Sequence, residues 1–352
     1  MLKYIQTIVF SLFIFSGVSW GQTFEDLGFG TEETLEILTW NIEWFPKDGA
    51  TTASYVTGVI EGLDVDLLAI QEIDDTTAFV EMMGQIQGYD YVMMDGWFGG
   101  LVYVYNTEYI EILDAFEIYT EEEYWSPFPR SPLVIKFSHN SEVLYAINNH
   151  FKCCGDEEID LNDDGDEEMR RLIASTLLEE YISEELSDER VIVLGDLNDL
   201  IAEVASSNVF TPFLNLPEKY RFADMDIAMG SSLQWSYPTW PSHIDHIMIT
   251  DELFGDFESE NTVVEVIDIA RHMGGWASYE SSVSDHRPVA MRMAISLSGV
   301  DVLPEGSGRK ELVGITDVLG RECVYAPGRL LIYRYSDGSA SRRVSSSASQ
   351  PE

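Results

Sequence analysis

From Glu36 onward the chain alternates short apolar runs with amphipathic segments, and this alternation constrains the fold more than any other feature. LEILTWN, DLLAIQE, GLVYVYN, PLVIKFS, EVLYAINNH, RVIVLGD, HIDHIMI and PVAMRMAI all read as strands. VIVL and LLAI are apolar without interruption, as expected of strands covered on both faces. Between them, TASYVTGVIEGL, AFVEMMGQIQG and EEMRRLIASTLLEEYISEEL space apolar residues three and four apart, which is helical spacing. Strands that outnumber the helices between them imply an α/β (α+β) architecture with more than one sheet layer. Each conspicuous polar cluster is read at the C-terminal end of a strand, where such folds place their sites.

Composition supports a buried core. Of the 352 residues, 45% are hydrophobic and 23% charged, which argues against global disorder. The charge balance is lopsided: 62 Asp and Glu stand against 20 Lys and Arg, a formal net charge of -42. A reader of nucleic-acid sequence ordinarily has the opposite sign, because Lys and Arg neutralise phosphates. Such a surface repels polyanions at long range unless salt or bound cations screen it, and it suits a saline or cation-rich setting.

The two ends differ from the middle. MLKYIQTIVFSLFIFSGVSWGQ carries Lys3, an apolar run from Ile8 to Val18 and a small-x-small step at Ser19-Trp20-Gly21. It reads as a signal peptide over residues 1–21, because the run is short for a membrane span of about 20 residues. The alternative is an uncleaved anchor. Residues 22–35 form an acidic lead-in, and 36–297 form the main domain. A Gly/Ser/Pro linker covers 298–309, strand-like runs with a hairpin turn near Tyr335-Ser336-Asp337-Gly338 cover 310–344, and 345–352 read as a disordered end. No transmembrane segment is expected in the mature chain, and the protein is expected to be a monomer, secreted or at the cell surface.

Six clusters carry the chemistry: TWNIEW with Asn41 and Glu43, AIQEID with Glu72, NNHFK with His150, GDLND with Asp196 and Asn198, HIDHI with Asp245, and SDHRP with Asp285 and His286. Any one of them is commonplace, and their combination is not. Carboxylate and amide oxygens are hard ligands suited to Mg²⁺, Mn²⁺ or Ca²⁺ rather than zinc. Glu72 is the natural anchor of such an ion, with Asn41, Glu43 and Asp285 beside it. The histidines and remaining carboxylates are then available for proton transfer and phosphate contact.

The ordered set WN…QE…NxHxK…GDxND…IDHI…SDH resembles the endonuclease/exonuclease/phosphatase, or DNase I-like, superfamily over residues 36–297. That resemblance implies a four-layer sandwich, two facing β-sheets flanked by helices, with the site at one end. It implies Mg²⁺ or Mn²⁺ held at Glu72, and an attacking water oriented or deprotonated by Asp196 and Asn198. His286 would face the scissile phosphate with its tautomer set by Asp245, and His150 would make a second phosphate contact. Arg130, in FPRSPLVIKF, resembles an arginine that holds a phosphate; the alternative is a surface ion pair. The tail, GITDVLGRE…LLIYRYSDGSASRRV, resembles the C-terminal sorting domain of type IX secretion, which implies a partner in the secretion machinery and a small β tail.

One segment stays open. After NNH, the run CCGDEEIDLNDDGDEE places Asp160, Asn162, Asp164, Asp166 and Glu168 near the spacing of a calcium loop, with Arg171 where a bidentate Glu would complete it. The choice is between a structural Ca²⁺ and an acidic approach to a helix N-terminus. Cys153 and Cys154 are adjacent, their Cα atoms about 3.8 Å apart across a trans peptide. We expect a strained, reducible vicinal disulfide there, in preference to a zinc site with His150. The function expected is hydrolysis of a phosphodiester by activated water, with a nuclease first. The alternatives are a phosphatase or phospholipid head-group phosphodiesterase on the same fold, and a non-catalytic calcium-binding module.

Overall fold

Twelve strands of the main unit form two six-stranded sheets. In chain order they are β1 (Leu35–Phe45), β2 (Leu67–Ile73), β3 (Tyr89–Met93), β4 (Gly100–Asn106), β5 (Ile110–Glu117), β6 (Leu133–His139), β7 (Glu142–His150), β8 (Val191–Asp196), β9 (Tyr220–Phe222), β10 (Asp245–Thr250), β11 (Val263–Val266) and β12 (Val289–Met293). The first sheet runs β11-β12-β1-β2-β4-β3 and the second β5-β6-β7-β8-β10-β9. This computed structural model describes residues 24–94, 100–297, 312–316, 321, 330–335 and 340–344. The expected signal at 1–21, the linker at 298–309, the end at 345–352 and Cys323 lie outside the described residues.

Three apolar layers separate four structural ones. Period-two alternation sends Ile37 of β1, Ala69 of β2, Phe137 of β6 and Leu194 of β8 into the core between the sheets. Their neighbours Leu38 and Ile70 face helices α1 (Ala50–Leu63) and α2 (Thr76–Met83), against Val59, Ile60 and Phe79. On the other side Ile147, Val191 and Val193 meet α3 (Glu167–Glu185) at Ala174, Leu178 and Ile182. Strands apolar on both faces are thus explained: each sheet is covered twice. Each fully buried Leu, Ile or Phe contributes about 2 kcal/mol of transfer free energy. The expected α/β sandwich of two facing sheets flanked by helices is the architecture found.

The helices begin and end for local reasons. Asp75 caps α2 by accepting from Ala78 N–H at 3.0 Å, and Asp166 caps α3 through Met169 N–H at 2.8 Å. Asp64, in the left-handed region with φ 51°, ends α1.

All eight strands read from the sequence are present. The four it missed, β3, β5, β9 and β11, are the four edges of the two sheets. The placement of the polar clusters needs one correction. Asp245 opens β10, and Asp285 with His286 precede β12, so these clusters sit at strand beginnings. Because β10 runs antiparallel to β8 and β12 antiparallel to β1, their starts reach the same end of the sandwich as the ends of β8 and β1.

The chain divides into two compact units, Met1–Ser298 and Gly299–Glu352. In the second, Leu312–Thr316, Leu330–Tyr335 and Ala340–Val344 form an antiparallel three-stranded sheet, with Leu330 opposite Val344. Among the described residues no helix is long and apolar enough to cross a membrane.

Candidate active site

Strand register builds half of the site. His150 pairs with Asp196 across β7 and β8, and Asp196 pairs with Asp245 across β8 and β10. Three polar side chains from three neighbouring strands therefore stand in one row, at the spacing of cross-strand neighbours. Gly195 makes the close passage possible. Its φ is 145°, and a Cβ there would lie 2.0 Å from Asn149 O.

The other sheet supplies the facing half. Asn41 pairs with Gln71 on β1 and β2. Regular alternation would send Gln71 between the sheets and Glu72 toward the helices. Gln71 obeys, donating to Asn148 Oδ1 at 2.8 Å across the inter-sheet core. Glu72 has φ 66°, which breaks the alternation and turns its carboxylate to the site. Asn41 Nδ2 lies 3.1 Å from Glu72 Oε1 and 2.9 Å from Asp196 Oδ2, tying the two sheets together. The amide oxygen of Asn41 accepts from Glu43 N–H instead of facing these carboxylates. Glu43 (φ 38°), Trp44 (φ 51°) and Asn198 (φ 54°) are also left-handed, so four of the site's residues sit in a sparsely populated backbone region.

His286 completes the set. Its Nδ1 is 2.8 Å from Asp245 Oδ2, and its Nε2 is 3.8 Å from Asp196 Oδ2 and 3.9 Å from Asp285 Oδ1. Its backbone is held on both sides: Tyr279 donates its hydroxyl to the His286 carbonyl, and the His286 N–H donates to Ser284 Oγ at 2.9 Å. Asp285 N–H donates to Glu43 Oε2 at 2.9 Å, and Glu43 also pairs with Lys47. His150 Nε2 is 3.5 Å from Asp196 and 3.7 Å from Glu72. Asn198 N–H donates to Asp196 Oδ1 at 3.1 Å.

The electrostatics separate the two histidines. Burial works against charge on His286, yet Asp245 and Asp196 push its pKa up to about 10, so it is an imidazolium at neutral pH. Burial, with the positive charges of Arg130 and His286, holds His150 well below the ordinary range, so it is neutral. Burial raises Asp196 to about 7; His286 opposes this, and Asp245 and Glu72 add to it. A carboxylate poised there can take a proton at neutral pH.

The donor set fits a hard divalent cation. Carboxylates of Glu72 and Asp196 converge with few compensating charges, and buried Asp245 Oδ1 has no hydrogen-bond partner. Asp196, Asp245 and His286 present ligand atoms within 4.8 Å of one another. Glu43, Glu72, Asp196 and Asp285 all line one cavity of about 480 Å³ with both histidines. Arg130 is not among its lining residues, but its charge is felt at His150.

The acidic run is tied to its own backbone and to the helix it precedes. Asp160 and Asp166 spend side-chain oxygens on backbone N–H groups at Asn162 and Met169. Glu168 is buried against Arg171 at 3.2 Å. Among the described residues, three carboxylates gather within reach of one cation here, Asp156, Asp166 and Glu168, and the last two belong to the expected set. Cys153 and Cys154 are exposed thiols whose sulfurs lie 2.9 Å apart.

Two working residues were not among the candidates. Arg171 is 3% exposed and donates Nε to Asp199 at 2.7 Å and Nη1 to the carbonyls of Lys152 and Cys154. It welds the loop after His150 to the loop after Asp196. His246 bonds Asp224 through Nδ1 and the Asp199 carbonyl through Nε2. The repeated His in HIDHI was the available signal; Arg171 was noted only as standing where a calcium loop would place a Glu, and nothing in the sequence marks its bonds to Asp199 and the two carbonyls.

No curated protein matches the chain. Solved structures do. D. rerio TDP2 complexed with a single-strand DNA product is similar with TM-score 0.55 and 14% identity, over 74% of this chain and 99% of that one. The human Nocturnin catalytic domain with bound sulfate has TM-score 0.54 and 12% identity, over 75% and 95%. Bacteroides thetaiotaomicron mannosyl-6-phosphatase has TM-score 0.52 and 14% identity, over 74% and 100%. The Endonuclease/Exonuclease/phosphatase family model matches residues 38–286. The residues it spans include the row from His150 to Asp245, the Glu72 carboxylate facing it and His286, and the chain belongs to that family of phosphoester hydrolases.

Proposed function

We propose that the protein is an exported, divalent-metal-dependent phosphoesterase that hydrolyses a P–O bond with water. The observation that carries this is the geometry around Asp196: its carboxylate lies 3.5 Å from His150 and 3.8 Å from His286, and Asn41 ties it to the Glu72 carboxylate facing it. Glu72 would hold the ion, with Asp285 and Glu43 beside it. When bound, Mg²⁺ or Mn²⁺ supplies charge neutralisation at a phosphoryl oxygen and at the leaving oxygen. Asp196 accepts a proton from the attacking water, which Asn198 helps orient. His286, held by Asp245, donates to the phosphoryl group as charge develops, and His150 contributes a neutral hydrogen bond. Arg130 adds positive potential on the His150 side. The leader-like segment 1–21 and the sorting-like tail support export.

The sequence reading places a nuclease first. The cavity favours the alternative, a small phosphoester. Among the described residues its lining holds eight carboxylates against the His286 imidazolium and one arginine, and that arginine is committed to Glu168 and Asp199. Flanking phosphates of a polynucleotide would meet repulsion where a single phosphoryl group on a neutral alcohol would not. Exposed Trp44 offers that alcohol a flat apolar wall. Among the similar structures, one is a sugar phosphatase by name and one holds a DNA product, so both classes belong in the test.

The test is hydrolysis of a sugar monoester, a bis-aryl phosphodiester, single-stranded DNA and duplex DNA, each with Mg²⁺, Mn²⁺ or chelator. We expect metal-dependent turnover, fastest on the small esters and abolished by chelator. Faster turnover of DNA at every salt concentration would restore the nuclease reading. Absence of metal-dependent turnover on all of them would reject the enzyme.

A further inference from the structure

We propose that Cys153 and Cys154 form a dithiol modification site on the wall of the catalytic cavity, closed into a vicinal bridge by exchange with low-molecular-weight disulfides, and that closure slows hydrolysis. The consequence for hydrolysis rests on the function proposed above; the thiol chemistry does not.

Both thiols are exposed and both line the cavity that holds His150, Asp196 and His286. Cys154 donates to Cys153 Sγ at 2.9 Å, and Lys152 Nζ lies 3.7 Å from the same sulfur. Negative charge developing on Cys153 Sγ therefore faces two donors, which makes it the attacking sulfur. It attacks one sulfur of the reagent disulfide, forming a mixed disulfide and releasing one thiol. Cys154, after losing its proton to solvent, attacks Cys153 Sγ and expels the second thiol. Two electrons pass from the cysteine pair to the reagent, whose two sulfurs leave protonated.

Closure is not local in its effect. The Lys152 and Cys154 carbonyls flank the pair, and both accept from Arg171 Nη1, at 2.8 and 2.7 Å. The same guanidinium holds Asp199 at 2.7 Å, one residue beyond Asn198. Asn198 in turn donates to the Phe151 carbonyl at 3.2 Å. The loop is tight on its far side as well: Gly155 has φ 121°, and a Cβ there would meet the Glu168 carboxylate at 2.0 Å. Adjacent Cα atoms stand about 3.8 Å apart, closer than the roughly 4.4 Å or more usual for bridged cysteines. The peptide between the cysteines must therefore turn to close the ring. Arg171 cannot keep both carbonyls if it does, and its hold on the Asp199 loop loosens.

The experiment uses the full reduced chain, treated with oxidised glutathione and then with dithiothreitol. Mass spectrometry follows the peptide containing both cysteines, and a bis-aryl phosphodiester with Mn²⁺ reports hydrolysis. We expect the peptide to lose two hydrogens and hydrolysis to fall several-fold, both reversed by dithiothreitol. The Cys153→Ser/Cys154→Ser variant should hydrolyse as the reduced protein does and ignore the oxidant. Persistent free thiols, or glutathione adducts without a bridge, overturn the site. A bridge with unchanged hydrolysis, or a double variant that still responds, overturns the control of hydrolysis. If the reduced protein hydrolyses nothing, the function proposed above fails, and the peptide mass alone decides whether the site exists.

Discussion

Strand β10 carries two Asp–His clusters back to back. Asp245 is buried behind the cavity-lining His286, which it meets at 2.8 Å; His246, the next residue, faces the α3 side and meets Asp224 at 2.6 Å. Both are buried, and both read alike in a sequence. Asp224 is fully used: it bonds His246, accepts from Ile247 N–H at 3.0 Å and lies 2.9 Å from His243. Burial raises Asp224, but the two histidines outweigh it and hold its pKa low; His246 is raised in return. Acceptors on both ring nitrogens of His246 make it a buried imidazolium. Each cluster keeps one buried polar atom without a hydrogen-bond partner, His243 Nε2 in one and Asp245 Oδ1 in the other. In the second, however, Asp196 is pushed up to about 7, left-handed residues stand nearby and His286 lines the cavity. A polar cluster sealed away from the cavity stabilises the fold, whereas one that borders it is poised for chemistry.

Mutation should split the two clusters. His286→Ala and Asp196→Asn should each lower metal-dependent hydrolysis about 10³-fold, with the melting temperature nearly unchanged. A melting temperature that falls as far as activity would erase the distinction. Asp224→Ala should do the reverse: it strands the His246 charge and costs about 3–5 kcal/mol in denaturant unfolding. Activity per folded molecule should stay within a few-fold of the parent. A thousand-fold loss there would put His246 in the chemistry.

Two pH experiments sharpen the contrast. Hydrolysis should rise as pH climbs through about 7, where Asp196 becomes a base, and fall through about 10, where His286 loses its proton. In Asp245→Asn the alkaline limb should move to lower pH, because the partner that raises His286 has lost its charge. An unmoved limb would take the tautomer-setting role from Asp245. The smallest effect is expected far from both clusters. Burial, chiefly, pushes Asp66 up to about 8. A raised carboxylate favours the protonated folded state, so its contribution is present below pH 4 and is lost between about 4 and 8. Asp66→Asn should therefore stabilise the protein by about 1–2 kcal/mol at pH 9 and little at pH 4. Equal effects at both pH values would refute the shift.

The strands legible in the sequence are the interior ones. β1, β2, β7, β8, β10 and β12 are paired on both sides and packed on both faces, so apolar side chains dominate them. The edge strands β3, β5, β9 and β11 are shorter or more exposed and carry YDYVM or IEILDAFE, where polar residues dilute the alternation. The site was legible residue by residue for the same reason: each catalytic candidate adjoins an apolar run that is easy to see. Arg171 was not, because a buried arginine on a charged helix looks like its solvated neighbours until Asp199 and two carbonyls are seen to meet it.

By itself the sequence determined the interior strands, the helices that cover them and the polar clusters beside those strands, since these follow from local periodicity and chemical type. Only the tertiary structure decided how they act. Whether an Asp–His pair is closed or poised, whether an acidic run gathers ligands or braces an arginine, and whether two thiols border a cavity all depend on strands far apart in sequence. Those long-range placements set burial and charge proximity, and these in turn set the pKa of each group.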